Sequence, residues 1–160
     1  MKKLDFFYNI AIVVLVIGII TVVIYKFAIP VKQPQDSFKI QEFEKVEIID
    51  LSGNEIKLGQ LMAKDGATYC IMFRINDCFS CVFDAIQDLK RLRDSGKACM
   101  GIIIHDLLDE VRGFTANYEF SPFFMIKRVD FYEFIKSPMT PVLVKFKNNK
   151  VESYRYFTPQ

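Results

Sequence analysis

The stretch Thr68 to Leu92, TYCIMFRINDCFSCVFDAIQDLKRL, constrains the fold most, because an apolar run, a turn with two cysteines and a helical period follow one another in it. Tyr69 to Phe73 is a short run of strand formers, as expected of a strand covered on both faces. A turn over Arg74 to Asp77 leads into Val82, Ala85, Ile86, Leu89 and Leu92, which recur at helical spacing, and Ser95-Gly96 supplies the stop. Cys78 and Cys81 therefore fall at a helix N-terminus. Unpaired amide N–H groups and the positive end of the helix dipole favour an anion there, and the anion on offer is a thiolate.

Two residues between the cysteines bring both sulfurs within reach of a disulfide while only the first stays exposed at the turn. Cys78 is then the attacking thiol and Cys81 the resolving one. A CxxC beside a strand and a helix points to thiol–disulfide exchange, with a zinc site and a structural bridge as the alternatives. Zinc takes four ligands, usually as a second Cys or His pair at short spacing, and no such pair occurs in this chain.

The chain has 160 residues, enough for one domain, and its apolar content of 51% is high for a soluble protein. The excess lies in the uncharged run Phe6 to Tyr25, long enough as a helix to cross about 30 Å of hydrocarbon. No A-x-A-like cleavage site follows it, and the first cysteine is Cys70, so residues 1–29 read as an uncleaved anchor. Lys2 and Lys3 before the run balance Lys26 and Lys32 after it, and the short leading tail then suggests an N-inside signal anchor. The expectation is a single-pass protein of the cell membrane with its C-terminal domain outside the cytoplasm.

Residues 30–45, with two prolines and mixed charges, read as a tether, and residues 46–160 as the folded domain. Val46 to Leu51 and Glu55 to Leu58 flank Ser52-Gly53-Asn54 as an N-terminal β-hairpin, and Gln60 to Lys64 suggests a short helix. Ala98 to Ile104 is a second buried strand, making strand, helix, strand a right-handed parallel unit. Asp109 to Tyr118 is a weaker helical stretch, Phe123 to Ile126 a short strand and Asp130 to Phe134 a helical turn. Val142 to Phe146, Asn148-Asn149 and Val151 to Tyr156 make a closing hairpin.

That hairpin carries a family resemblance. The run MTPVLVKFKNNKVESYRY resembles the thioredoxin segment in which a cis-proline starts a strand that returns through a Lys-Asn turn. The resemblance makes Pro141 the cis-proline and Thr140 the residue whose backbone pairs with a substrate chain. It implies a thioredoxin-like α/β fold over Val46 to Phe157, a central mixed sheet flanked by helices. The long stretch from Cys81 to Pro141, the N-terminal hairpin and the anchor are similar to TlpA-type redoxins. These are extracytoplasmic thiol–disulfide oxidoreductases that include the cytochrome c maturation reductases. The implied partners are a protein disulfide substrate and a thiol donor, a transmembrane reductase among the candidates; no cofactor or metal is implied.

Asp84 falls where cytochrome-maturation relatives carry a glutamate, and i, i+3 spacing puts it on the same side of the helix as Cys81, placed to exchange a proton. The alternative is a solvated Asp near the helix start, stabilised by the dipole. The sequence departs from thioredoxin at Asp77 in place of Trp, Met72 in place of the buried Asp, and Phe79-Ser80 in place of Gly-Pro. A charge at Asp77 opposes the helix term, so the Cys78 pKa is expected near or above neutral and the pair reducing, with Ser80 offering one hydrogen bond to the thiolate.

Cys70 and Cys99 read as buried thiols and His105 as structural or surface. Ile75 stands where a peroxidase would show Thr, by resemblance to peroxiredoxins. A net charge of +2 with mixed signs gives no nucleic-acid footprint. Two other classes stay open: a thioredoxin-fold binding module with a structural bridge, and a metal carrier using the CxxC.

Overall fold

The computed structural model describes residues 38–42, 45–63, 66–137 and 139–158. The expected anchor, and with it the membrane span, lies outside these residues. Among the described residues no helix is long and apolar enough to cross a membrane.

The central strand is β4, Ala67–Phe73, covered on both faces from Cys70 to Phe73 as its unbroken apolar run requires. It pairs in parallel with β5 (Ala98–Ile104) and antiparallel with β8 (Val142–Lys147). Outward from β5 lie β6 (Phe123–Ile126), β2 (Glu47–Asp50) and β3 (Glu55–Lys57), and outward from β8 lies β9 (Lys150–Tyr156). The result is a seven-stranded mixed sheet. The expected N-terminal hairpin is β2–β3, turned by the Asp50 carboxylate accepting from the backbone N–H of Ser52 and of Asn54, each at 2.8 Å.

Alternation along β4 sends Cys70 and Met72 to one face of the sheet, Ile71 and Phe73 to the other. The second face receives α1, Phe79–Asp94, whose Val82, Ala85, Ile86 and Leu89 are buried on one stripe, together with Val111 of α2 (Leu108–Thr115). Each of Val82, Ile86 and Leu89 contributes about 1.5–3 kcal/mol by leaving water. On the first face lie Phe131 of α3 (Arg128–Phe134) and Phe38.

Three local signals fix the ends of these elements. Gly96 has φ +81°, its N–H donates to Arg93 O at 2.8 Å, and the Lys97 N–H donates to Leu92 O at 3.1 Å, a Schellman stop for α1. Asn148 and Asn149 both have positive φ, as a two-residue turn between β8 and β9 demands. Thr68 Oγ1 accepts the Ala63 N–H at 2.9 Å, tying the 3-10 turn Leu58–Leu61 region to the central strand.

The tether expectation is modified at its end. Lys39–Ile40, β1, pairs antiparallel with β7, Ile135–Lys136, and Phe38 is buried in the core, so residues 38–40 are part of the folded domain.

Candidate functional site

The site grows from the end of β4. After Phe73 the chain turns through Arg74 to Asp77 and enters α1 with Cys78 as the residue capping its N-terminus and Cys81 in the first turn. Cys78 is exposed, whereas Cys81 is only 2% exposed, so one thiol is open to solvent and the other is buried behind it. The split carries into their acidities. A hydrogen bond from the Cys81 thiol, then one from Ser80, then backbone N–H groups lower the Cys78 pKa below the ordinary thiol value. The same bond to Cys78, then burial, raises that of Cys81. Cys78 Sγ and Ser80 Oγ lie 3.2 Å apart, the contact expected of Ser80.

Asp77 carries its charge in a pair that the sequence analysis did not foresee. Its Oδ2 accepts the Arg74 backbone N–H at 2.8 Å, and its Oδ1 lies 3.2 Å from Arg74 Nε, with the side chain only 9% exposed. The carboxylate is therefore partnered by a guanidinium. Arg74 is the residue that sequence reasoning missed. Its signal was available as an Arg and an Asp at i, i+3 across the turn.

Arg74 Nε also donates to Thr140 Oγ1 at 3.1 Å, which brings the loop before β8 to the cysteine loop. The Thr140–Pro141 peptide is cis, as the resemblance implies, and so is Ser121–Pro122, which no motif pointed to. Cys78, Cys81 and Thr140 are thus gathered at one end of the central strands.

Asp84 is exposed in the second turn of α1, beyond the first turn in which a helix dipole acts strongly. It lines a groove of about 490 Å³ whose wall includes Cys81, bordered by Phe83, Arg91, Arg155 and Phe157. An Asp88–Arg155 ion pair ties α1 to β9 at the same groove. On the other side Phe79, 73% exposed, stacks on Phe83 with centroids 6.4 Å apart. This aromatic ridge beside Cys78 follows from Phe79 standing where thioredoxin carries Gly.

The remaining chemistry-bearing residues lie apart. Cys70 is fully buried, its thiol donates to Ile71 O at 3.7 Å, and burial pushes its pKa far up. Cys99, on the helix side of the sheet, is raised by burial, with Arg93 opposing. His105 Nδ1 accepts the Leu107 N–H and Nε2 lies 3.2 Å from Glu110, a structural placement. Among the described residues no three His, Cys, Asp or Glu side chains come together as a metal site.

A seven-stranded mixed sheet with a CxxC capping the helix after its central strand and a cis-proline before the next antiparallel strand defines the thioredoxin-like fold. Solved structures that share this fold include thiol–disulfide oxidoreductases. A secreted Mycobacterium tuberculosis disulfide oxidoreductase homologous to E. coli DsbE superposes with TM-score 0.55 at 16% identity, over 74% of this chain and 87% of that one. BsSco, of the Sco family of cytochrome c oxidase assembly proteins, gives 0.55 at 15% over 76% and 86%. The thioredoxin domain of a Bacteroides vulgatus thiol-disulfide oxidoreductase gives 0.56 at 11% over 76% and 91%. No family model and no curated protein sequence matches the chain.

Proposed function

We propose that the protein is a membrane-anchored thiol–disulfide oxidoreductase that reduces disulfides of extracytoplasmic proteins. The observation that carries this reading is the division of labour at the CxxC: an exposed Cys78 with lowered pKa and a buried Cys81 with raised pKa, hydrogen-bonded to each other. The Cys78 thiolate attacks one sulfur of a substrate disulfide, that S–S bond breaks, and the departing substrate sulfur takes up a proton. Cys81 then gives up its proton, with Asp84 receiving it through water in the shared groove, and attacks Cys78. The substrate leaves with two thiols and the enzyme holds a Cys78–Cys81 disulfide. A thiol donor, for which a transmembrane reductase is the candidate, returns the two electrons. Thr140, beside cis Pro141, offers its backbone to the substrate chain.

The likeness to a DsbE homologue and to a Sco protein supports, within this reading, a role in the maturation of extracytoplasmic cytochromes or their oxidases.

The test is a cysteine series on a disulfide-bonded protein substrate. Cys78→Ser is expected to abolish reduction, and Cys81→Ser to accumulate a mixed disulfide through Cys78 that mass spectrometry locates. Unchanged turnover in Cys78→Ser, or partner binding independent of both cysteines, would replace this reading with that of a binding module. Equilibration with glutathione gives the direction: a potential near about −120 mV would mark an oxidant instead.

A further inference from the structure

The Arg74 side chain joins the Cys78 loop to the Pro141 loop, which are far apart in sequence. The Nε–H of Arg74 donates to Thr140 Oγ1 at 3.1 Å, the same Nε lies 3.2 Å from Asp77 Oδ1 in an ion pair, and the Arg74 backbone N–H donates to Asp77 Oδ2 at 2.8 Å. A planar guanidinium can serve two acceptors in fixed directions, which a lysine ammonium does not reproduce.

We propose that Arg74 is a positioning residue for exchange at Cys78, with two consequences. It holds the charge of Asp77 in an ion pair, away from the neighbouring sulfur, and it fixes the Thr140 side chain, and thereby the backbone beside Pro141, against the cysteine loop. The proposal rests on the thiol–disulfide exchange reading for its second consequence alone. The first is a property of the resting protein.

Charge bookkeeping around the nucleophile supports the first. Cys78 interacts with Cys81 and Ser80 of α1, Asp77 precedes it in the chain and pairs with Arg74, and Arg74 binds the non-titrating Thr140 of the loop before β8. Without the guanidinium, the Asp77 carboxylate next to Cys78 in the chain loses its countercharge. A carboxylate released next to the sulfur disfavours the thiolate on the order of tenfold.

The experiment uses the full chain in its reduced state. Alkylation of Cys78 by iodoacetamide is followed against pH, with the Cys78 peptide read by mass spectrometry so that Cys99 does not contribute. Arg74→Gln is expected to slow alkylation at neutral pH about tenfold, by moving the titration midpoint up. Arg74→Gln combined with Asp77→Asn is expected to return the midpoint to that of the parent. Arg74→Lys restores the charge but only part of the geometry, so its midpoint stays near the parent while its half-saturating substrate concentration rises, as it does for Thr140→Val. Thermal unfolding and circular dichroism of each variant provide the folding control, and the double variant keeps the proposal testable if Arg74→Gln alone is unstable. An unchanged midpoint in Arg74→Gln, or an equal shift in the double variant, overturns the proposal. Failure of the parent to reduce any disulfide would instead strike the exchange reading, and the alkylation midpoints would still decide the role of Arg74.

Discussion

At the scale of single residues, the four cysteines have four different environments, and each environment has a measurable sign. Ser80 lies 3.2 Å from the Cys78 sulfur and lowers its pKa, so Ser80→Ala is expected to raise the alkylation midpoint of Cys78 while leaving the fold intact. Cys70 acts on stability. Its thiol stays protonated in the folded protein because burial raises its pKa, whereas in the unfolded chain it ionises near about 8.5. Above that pH the unfolded state binds fewer protons than the folded one, so unfolding free energy falls as pH rises, by up to about 1.4 kcal/mol per pH unit for one such group. Below it the contribution is fully present. Cys70→Val should flatten this alkaline decline in urea titrations between pH 8 and pH 10, whereas an identical slope in the variant would argue against burial of this thiol as its cause.

Among the elements, β5 and α1 carry the clearest packing consequences. A Cβ added at Gly101 would come within 2.4 Å of the Phe123 ring on the paired strand β6, so Gly101→Ala forces the ring or strand aside. A loss of about 1–3 kcal/mol is expected from such overpacking, read as a lower urea midpoint. Leu89→Ala in α1 removes a fully buried side chain from the face under the cysteines and should cost about 2–5 kcal/mol in the same assay. These elements were legible from sequence because their signals are local: the apolar run of β4, the helical period from Val82, Gly96 for the stop, and Asn148-Asn149 for the last turn. β1 and β7 were not legible, since a two-residue strand shows no periodicity. In the site, the cysteine pair and Pro141 were readable as motifs. The Arg74–Thr140 bond was not, because it joins residues 66 positions apart and exists only once β4 and β8 have paired.

For the whole molecule, the uncharged run Phe6 to Tyr25 leads to the proposal that the full chain fractionates with membranes and keeps its N-terminal Met. Protease added outside the cytoplasm is expected to reach the residues after Ile29. Recovery of a soluble mature form beginning near Ile29 would show that the run is a cleaved signal. Whichever way the domain is held, its sheet has a property of its own. Cys70 pairs with Met100 and Cys99 with Tyr69 on the adjacent parallel strand, so the two thiols stand on opposite faces. Bringing them together needs a one-residue slip that turns a strand over and empties its side of the core. A non-reducing gel therefore doubles as a folding gauge: an oxidised native chain is expected to hold the proposed Cys78–Cys81 bridge and no Cys70–Cys99 bridge, and any Cys70–Cys99 species marks chains that were trapped before the sheet closed.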